Sequence, residues 1–202
     1  MAPGTATAPH EQRFDAGRPC LDLLATAHPV ERLHSLPPLC AWITASGLVP
    51  QGTLLPSADL SWVTAFRELR GCIRQLVHAC LAPDHGAPAV PALSPALARL
   101  NDLARAATPA PRAVRGEDGT LVRRLDAAPD CAALLAVVAR DAVELLTDPV
   151  ARAALRQCAG DNCPLVYVDT SRGRRRRWCS SEVCGNRERV ARHRRRTAVT
   201  RG

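Results

Sequence analysis

The chain has 202 residues, 47% of them hydrophobic and 23% charged, so it can bury a core and is neither fibrous nor wholly disordered. Its length suits one domain plus a small module and excludes two large domains. The net charge of +8 rests on 27 arginines with no lysine and is unevenly placed: residues 1–150 carry 13 arginines against 15 acids, residues 151–202 carry 14 against 4. A near-neutral larger part joined to a strongly basic end points to a polyanionic partner for that end, nucleic acid first and an anionic membrane surface second.

Residues 1–12 predict a disordered terminus without the basic and apolar regions of a secretory signal. The longest stretch free of Asp, Glu and Arg, residues 33–58, is broken by Pro37, Pro38, Pro50 and Pro56. No membrane span is therefore expected, and the protein is placed in the cytoplasm, with the nucleoid. Residues 18–26 (RPCLDLLAT) are apolar enough to pack as a short helix or extended piece. Residues 37–46 read as a helix closed by Gly47, with proline in its first turn and glycine past its end. The clearest long helix begins near Asp59 or Ser61, where Trp62, Phe66, Leu69, Ile73, Leu76, Val77 and Cys80 recur at spacings of three and four, and it must end before Pro83.

Residues 83–95 form a proline-rich loop, and residues 96–107 an amphipathic helix through Leu97, Leu100, Leu103 and Ala104. The period then changes. Residues 112–115 and 121–125 predict a two-stranded hairpin around Gly116-Glu-Asp-Gly119, with Asp-Gly supplying positive φ. Residues 129–147 give a helix apolar on most sides, hence central to the core, and Asp148 caps a further helix from Pro149 to about Gln157.

No phosphate loop, dinucleotide fingerprint, His-Glu-x-x-His pair or nucleophile elbow is present, and the protein is not expected to be an enzyme. His10, His28, His34, His78, His85 and His193 are dispersed singly, as surface or core histidines usually are. Cys20, near Asp22, is where a reactive group would first be sought. Nine cysteines is an odd number for a reducing compartment, which argues against a disulfide framework. Cys20, Cys40, Cys72, Cys80 and Cys131 are scattered among apolar neighbours and read as small buried hydrophobes.

Cys158, Cys163, Cys179 and Cys184 instead form two Cys-x4-Cys pairs separated by 15 residues, the paired spacing of a tetrahedral thiolate site. Between the pairs, residues 165–168 favour a strand, residues 169–173 a turn, and residues 174–178 a returning strand; after Cys179, Ser180 or Ser181 caps a helix from about Glu182 to Arg196. Knuckle, hairpin and helix in this order make a treble-clef-like arrangement. Some 45 residues with one Trp and one Tyr cannot bury enough surface to fold alone, whereas a bound zinc ion contributes on the order of 10 kcal/mol. A four-iron cluster shares the ligand type, and unmetallated core thiols are the remaining reading.

On a helical wheel Val183, Arg187, Val190 and Arg194 fall on one stripe, with the valines expected to pack inward, while Arg189, Arg192 and Arg196 share another face. That second face, with Arg172, Arg174, Arg175, Arg176 and Arg177, offers a continuous guanidinium surface suited to phosphate or guanine, and Asn186 adds an adenine or backbone contact. Single-strand binding normally uses several stacking aromatics; here Tyr167 and Trp178 are the candidates, and both are plausible core residues.

At these positions the sequence resembles the CGNR zinc-finger proteins. Cys158-x4-Cys163, Asp169-x-Ser171-Arg172, Arg177-Trp178-Cys179-Ser180 and Cys184-Gly185-Asn186-Arg187 stand in the order and spacing of that family. The resemblance implies one structural Zn²⁺ on the four cysteines and a DNA-binding role. It also implies an upstream helical ABATE domain, the domain of stress-induced transcription regulators, whose opening motif residues 18–26 resemble. Ala25 stands where that family usually has asparagine.

The sequence thus predicts a mainly α chain with small β-hairpins (α+β): a disordered terminus (1–12), a helical ABATE-like domain (13–150), a connecting helix (151–157) and a CGNR-type finger with a basic helix (158–202). The expected function is that of a bacterial transcriptional regulator binding double-stranded DNA through Arg172, Arg174–Arg177, Asn186, Arg187, Arg189, Arg192 and Arg196. The N-terminal domain is expected to sense a small molecule or a protein partner. An RNA-binding module or a protein-interaction adaptor stapled by zinc is the alternative. No heptad repeat sets an oligomeric state.

Overall fold

The computed structural model describes residues 14–81 and 90–199. The expectations for residues 1–12, for His10 and His85, and for most of the proline-rich loop lie outside these residues. Among the described residues the chain forms α1 (Pro19–Ala25), α2 (Leu36–Ala45), α3 (Leu60–Leu81), α4 (Val90–Ala104), the hairpin β1 (Pro111–Arg115) and β2 (Leu121–Leu125), then α5 (Cys131–Thr147) and α6 (Pro149–Ala153). A second antiparallel pair, β3 (Leu155–Gln157) and β4 (Val166–Val168), precedes a π-helical turn (Ser181–Gly185) and α7 (Asn186–Val199).

The long helix α3 is central because its three-and-four spacing gives one continuous apolar face: Trp62, Phe66, Leu69, Ile73 and Val77 are buried, packed by α1, α2, α4 and α5. Trp42 of α2 meets Phe66 edge-on, their ring centroids 5.9 Å apart. Helix α5 buries Leu134, Leu135, Ala136, Val138, Ala139, Ala142 and Leu145 on one broad face, with Arg140, Glu144 and Thr147 exposed on the other, and Asp130 starts it by accepting from the Ala133 N–H at 2.8 Å. Arg70 is the buried charge of α3. Its guanidinium bonds Thr26 Oγ1 at 2.7 Å and both carboxylate oxygens of Glu31, so the charge is paired where it is desolvated.

Three expectations about elements are corrected. Helix α4 begins at Val90, not Ala96. Pro91 falls in the first turn, where a backbone N–H has no helical partner anyway, and Ala96 and Leu100 anchor the helix in the core. Helix α6 stops at Ala153 instead of running to Gln157, because residues 155–157 pair with β4 in the register Leu155↔Val168, Arg156↔Tyr167, Gln157↔Val166. Residues 174–178 are consequently not the partner strand of residues 165–168. Positive φ at Gly173 (91°) and Arg174 (49°) turns the chain away, and the Tyr167 hydroxyl donates to the Arg176 carbonyl at 2.6 Å across the loop so formed.

The second hairpin is built onto the helical part. The Val168 N–H donates to the Ala16 carbonyl at 2.9 Å, and that of Asp169 to the Ala154 carbonyl at 2.8 Å. Gly17, at φ +85°, lets the strap of residues 14–17 pass beside Val168. Leu155, Leu165, Val166, Tyr167 and Val168 are buried in one apolar cluster with α1, α3 and α5. Finger and helices therefore share a core.

Candidate metal centre and basic surface

Each cysteine pair is presented by its own tight device. Cys158 follows β3, and its N–H bonds the Leu165 carbonyl at 2.8 Å, so the hairpin continues into the knuckle; Asn162, at φ 58°, turns the chain before Cys163. The second pair spans the π-helical turn, which Ser180 caps by accepting from the N–H groups of Glu182 (3.2 Å) and Val183 (3.3 Å), bringing Cys184 beside Cys179. Gly160 lies where the two devices meet. A Cβ there would stand 3.3 Å from the Cys184 Cβ and 3.5 Å from the sulfurs of Cys158 and Cys184.

All four sulfurs are within 4.8 Å of one another, with Cys163 to Cys179 at 3.7 Å and Cys179 to Cys184 at 3.6 Å. Zinc–sulfur bonds of about 2.3 Å at tetrahedral angles place sulfurs roughly 3.8 Å apart, so the donor set fits one ion. A four-iron cube between the same sulfurs would not fit. The amides of Gly160 (3.4 Å) and Cys179 (3.3 Å) donate to the Cys158 sulfur, the arrangement a thiolate requires. Without a cation the thiols oppose one another's ionisation. Its hydrogen bond with Cys179, and then burial, push the Cys163 thiol far up; burial, and then Cys179, push Cys184 to about 11. A divalent ion inverts that balance. The four cysteines are the site of one structural zinc.

The loop joining the pairs is held by Asp169 and Arg176, neither of which the sequence marks as structural. Buried Asp169 accepts from the Ser171 N–H (2.9 Å) and hydroxyl (2.6 Å) and from the Arg176 N–H (3.0 Å); these bonds, led by that of the Ser171 hydroxyl, hold its carboxyl below the usual range. Arg176 turns inward. Its guanidinium lies 4.3 Å over the Tyr167 ring, bonds the Trp178 carbonyl at 2.9 Å and the Asp15 carbonyl at 3.1 Å, and also reaches the Cys179 carbonyl. The expectation that Arg176 belongs to the outer guanidinium surface is thereby corrected. Its neighbours differ: Arg172, Arg174 and Arg175 are exposed, and Arg177 lies 5.4 Å over the Trp178 ring.

Helix α7 touches the finger mainly through Glu188 and Ala191, beside Gly160 and Asp161 of the knuckle. Asn186, Arg187, Arg192 and Arg196 are exposed on it, whereas Arg189 bonds back to the Gly185 (3.3 Å) and Ser181 (3.2 Å) carbonyls. Val183 and Val190 do not pack inward as expected. They are 43% and 50% exposed, because the knuckle offers this helix only a narrow seat. The scattered cysteines are likewise not uniformly buried: Cys20 is, Cys40, Cys72 and Cys131 are half-buried, and Cys80 is exposed.

Family models match the chain over two adjoining stretches. Residues 17–149 match ABATE, described as "Putative stress-induced transcription regulator", and residues 154–197 match the CGNR zinc finger. Among curated proteins no similar sequence is found. With the two matches taking up nearly all the described residues, and four cysteines of the second gathered on one tetrahedron, the chain belongs to the ABATE family and carries a CGNR zinc finger after its ABATE region.

Proposed function

We propose that the protein regulates transcription by binding double-stranded DNA through the finger. The observation that supports this best is α7: a helix exposed over most of its circumference and rich in arginine, which follows the exposed arginines of the 169–178 loop in the chain. Zinc ties the two together, since Cys179 ends the loop and Cys184 lies in the turn that starts the helix. In this reading Arg172, Arg174, Arg175 and Arg177 hold phosphates, as do Arg192 and Arg196 on one face of α7, while Asn186 and Arg187, beside Val183 and Val190, face the groove. The exposed Val183 and Val190 add apolar contact suited to thymine methyls. Arg176 and Arg189 shape the surface and make no groove contact. Tyr167 is fully buried and Trp178 half-buried, so the module presents no stacking platform on these rings, which favours a duplex over a single strand.

The role proposed is binding, without a catalysed reaction. At Cys20, burial, and after it the Asp141 carboxylate, push the thiol well above its ordinary value, against thiolate chemistry. The proposed location is the cytoplasm, at the nucleoid; among the described residues no helix is long and apolar enough to cross a membrane. Fluorescence anisotropy with duplex DNA tests the reading. About six phosphate contacts give a slope of log K against log salt near −5, and replacing Arg172, Arg174 and Arg175 together with Gln lowers that slope by about three. A slope near zero, or tighter binding to RNA in competition, would overturn it.

A further inference from the structure

In the ABATE region, well away in sequence from the finger, the β1–β2 hairpin places two arginines face to face. Arg112 and Arg124 are direct partners across the antiparallel ladder, and like charges opposite each other destabilise a strand pair. Both point to the face that carries Val114, where hairpin and loop 51–54 border an open, shallow groove of about 660 Å³. The groove is divided in character. Arg112, Arg124 and Asp126 supply charge, while Val114 and Leu54 supply apolar wall, Leu54 being 79% exposed. Asp126 answers only part of the positive charge: it stands 3.8 Å from Arg112, and both side chains are more than half exposed. Two guanidiniums against one carboxylate leave one positive charge unanswered beside an apolar wall.

We propose that this groove binds a small amphipathic carboxylic acid, its carboxylate held by Arg124 and Arg112 and its apolar body laid on Val114 and Leu54. The single surplus charge matches a monocarboxylate better than a phosphate dianion. The guanidinium fork suits a planar carboxylate, and the bound anion relieves the repulsion that the ladder imposes. The site stands apart from the DNA-binding reading, and each can fail alone.

The test uses the full-length zinc-loaded protein with 4-phenylbutyrate as probe and 4-phenylbutyramide, its uncharged counterpart, as control, followed by backbone amide shifts. The carboxylate is expected to give saturable shifts in β1, β2 and residues 51–54. The amide and the Arg124→Gln variant should each bind about tenfold more weakly or worse, the loss that accompanies one charge-assisted contact. Arg124→Gln should keep its zinc and its affinity for duplex DNA. Should that variant unfold, Arg124→Lys, which keeps the charge and loses the fork, is expected to weaken binding while remaining folded. Equal binding of acid and amide would overturn the proposal. So would shifts confined to other parts of the molecule, or no saturable change up to about 10 mM with phenylbutyrate or hexanoate.

Discussion

Arg176 belongs to a run of four arginines whose members look alike in sequence, yet it alone folds back over Tyr167 and bonds three carbonyls, those of Asp15, Trp178 and Cys179. Removing a charged donor leaves the partly buried bonds to the Trp178 and Cys179 carbonyls unmade, so Arg176→Ala is expected to lower stability in urea unfolding by about 3 kcal/mol. Arg175→Ala, one residue away and exposed, should stay within about 0.5 kcal/mol while weakening DNA binding. Asp22 sets a different problem. It is buried, with the Ala16 N–H donating to it at 3.1 Å; burial, helped by the Asp15 and Asp141 charges, outweighs that bond and lifts its carboxyl to about 7. The folded chain then keeps a proton that the unfolded chain releases near pH 4, so this group costs stability as pH rises from about 4 to about 7. Asp22→Asn cannot ionise. Measured against wild type, its relative stability should shift in its favour by about 2 kcal/mol between pH 5 and pH 8, and an unchanged difference would contradict the raised value. Glu31 has the opposite sign. Although burial acts to raise it, bonds from Arg70 and from the Leu33 N–H bring it to about 2, and its contribution is lost only as pH falls from about 4 toward 2.

At the scale of elements, what the sequence discloses depends on whether local pattern or distant pairing makes the element. Helix α3, with its unbroken apolar spacing, and the β1–β2 hairpin, whose turn has Gly119 at φ +81°, agree with their residues because the forces that form them lie within a few residues. The four zinc cysteines were legible for the same reason: their spacing is itself the constraint. Strand β3 was not, since residues 155–157 follow a capped helical turn, and only pairing with Val166–Val168 makes them extended. Alternation gave a faint signal in Leu165, Val166, Tyr167 and Val168, but no rule of spacing says which side of the knuckle supplies the partner. The arginines illustrate the limit most sharply. Composition marks residues 172–177 as a basic surface, whereas the inward turn of Arg176 depends on Tyr167 and on the strap at Asp15, 161 positions away. The exposed valines of α7 have a similar origin: helical periodicity reports a stripe, not whether a neighbour exists to cover it.

For the molecule as a whole, the shared core changes what zinc supports. Read from sequence, the finger is a separate module whose loss would leave the helices standing. In the structure β4 is bonded to the strap before α1, β3 packs on α3, and Tyr167, fully buried, lies in the same cluster as Leu21, Ile73 and Leu145. A structural zinc contributes on the order of 10 kcal/mol, comparable to the whole stability of an ordinary domain, so withdrawing it from a finger that walls the helical core must be felt throughout. Calorimetry of the zinc-loaded protein should therefore show one main transition. Excess chelator, or Cys179→Ser, should lower that transition by about 10 °C or more, with loss of helical circular dichroism in step. The tryptophans separate this from the modular outcome: Trp42 and Trp62 lie in the helical core, Trp178 in the finger. In single-tryptophan variants, the signals of Trp42 and Trp178 should move together on chelation. If the Trp178 signal alone changes while Trp42 and the helical signal melt as before, the finger is an independent unit and the shared apolar cluster contributes little to holding the two parts together.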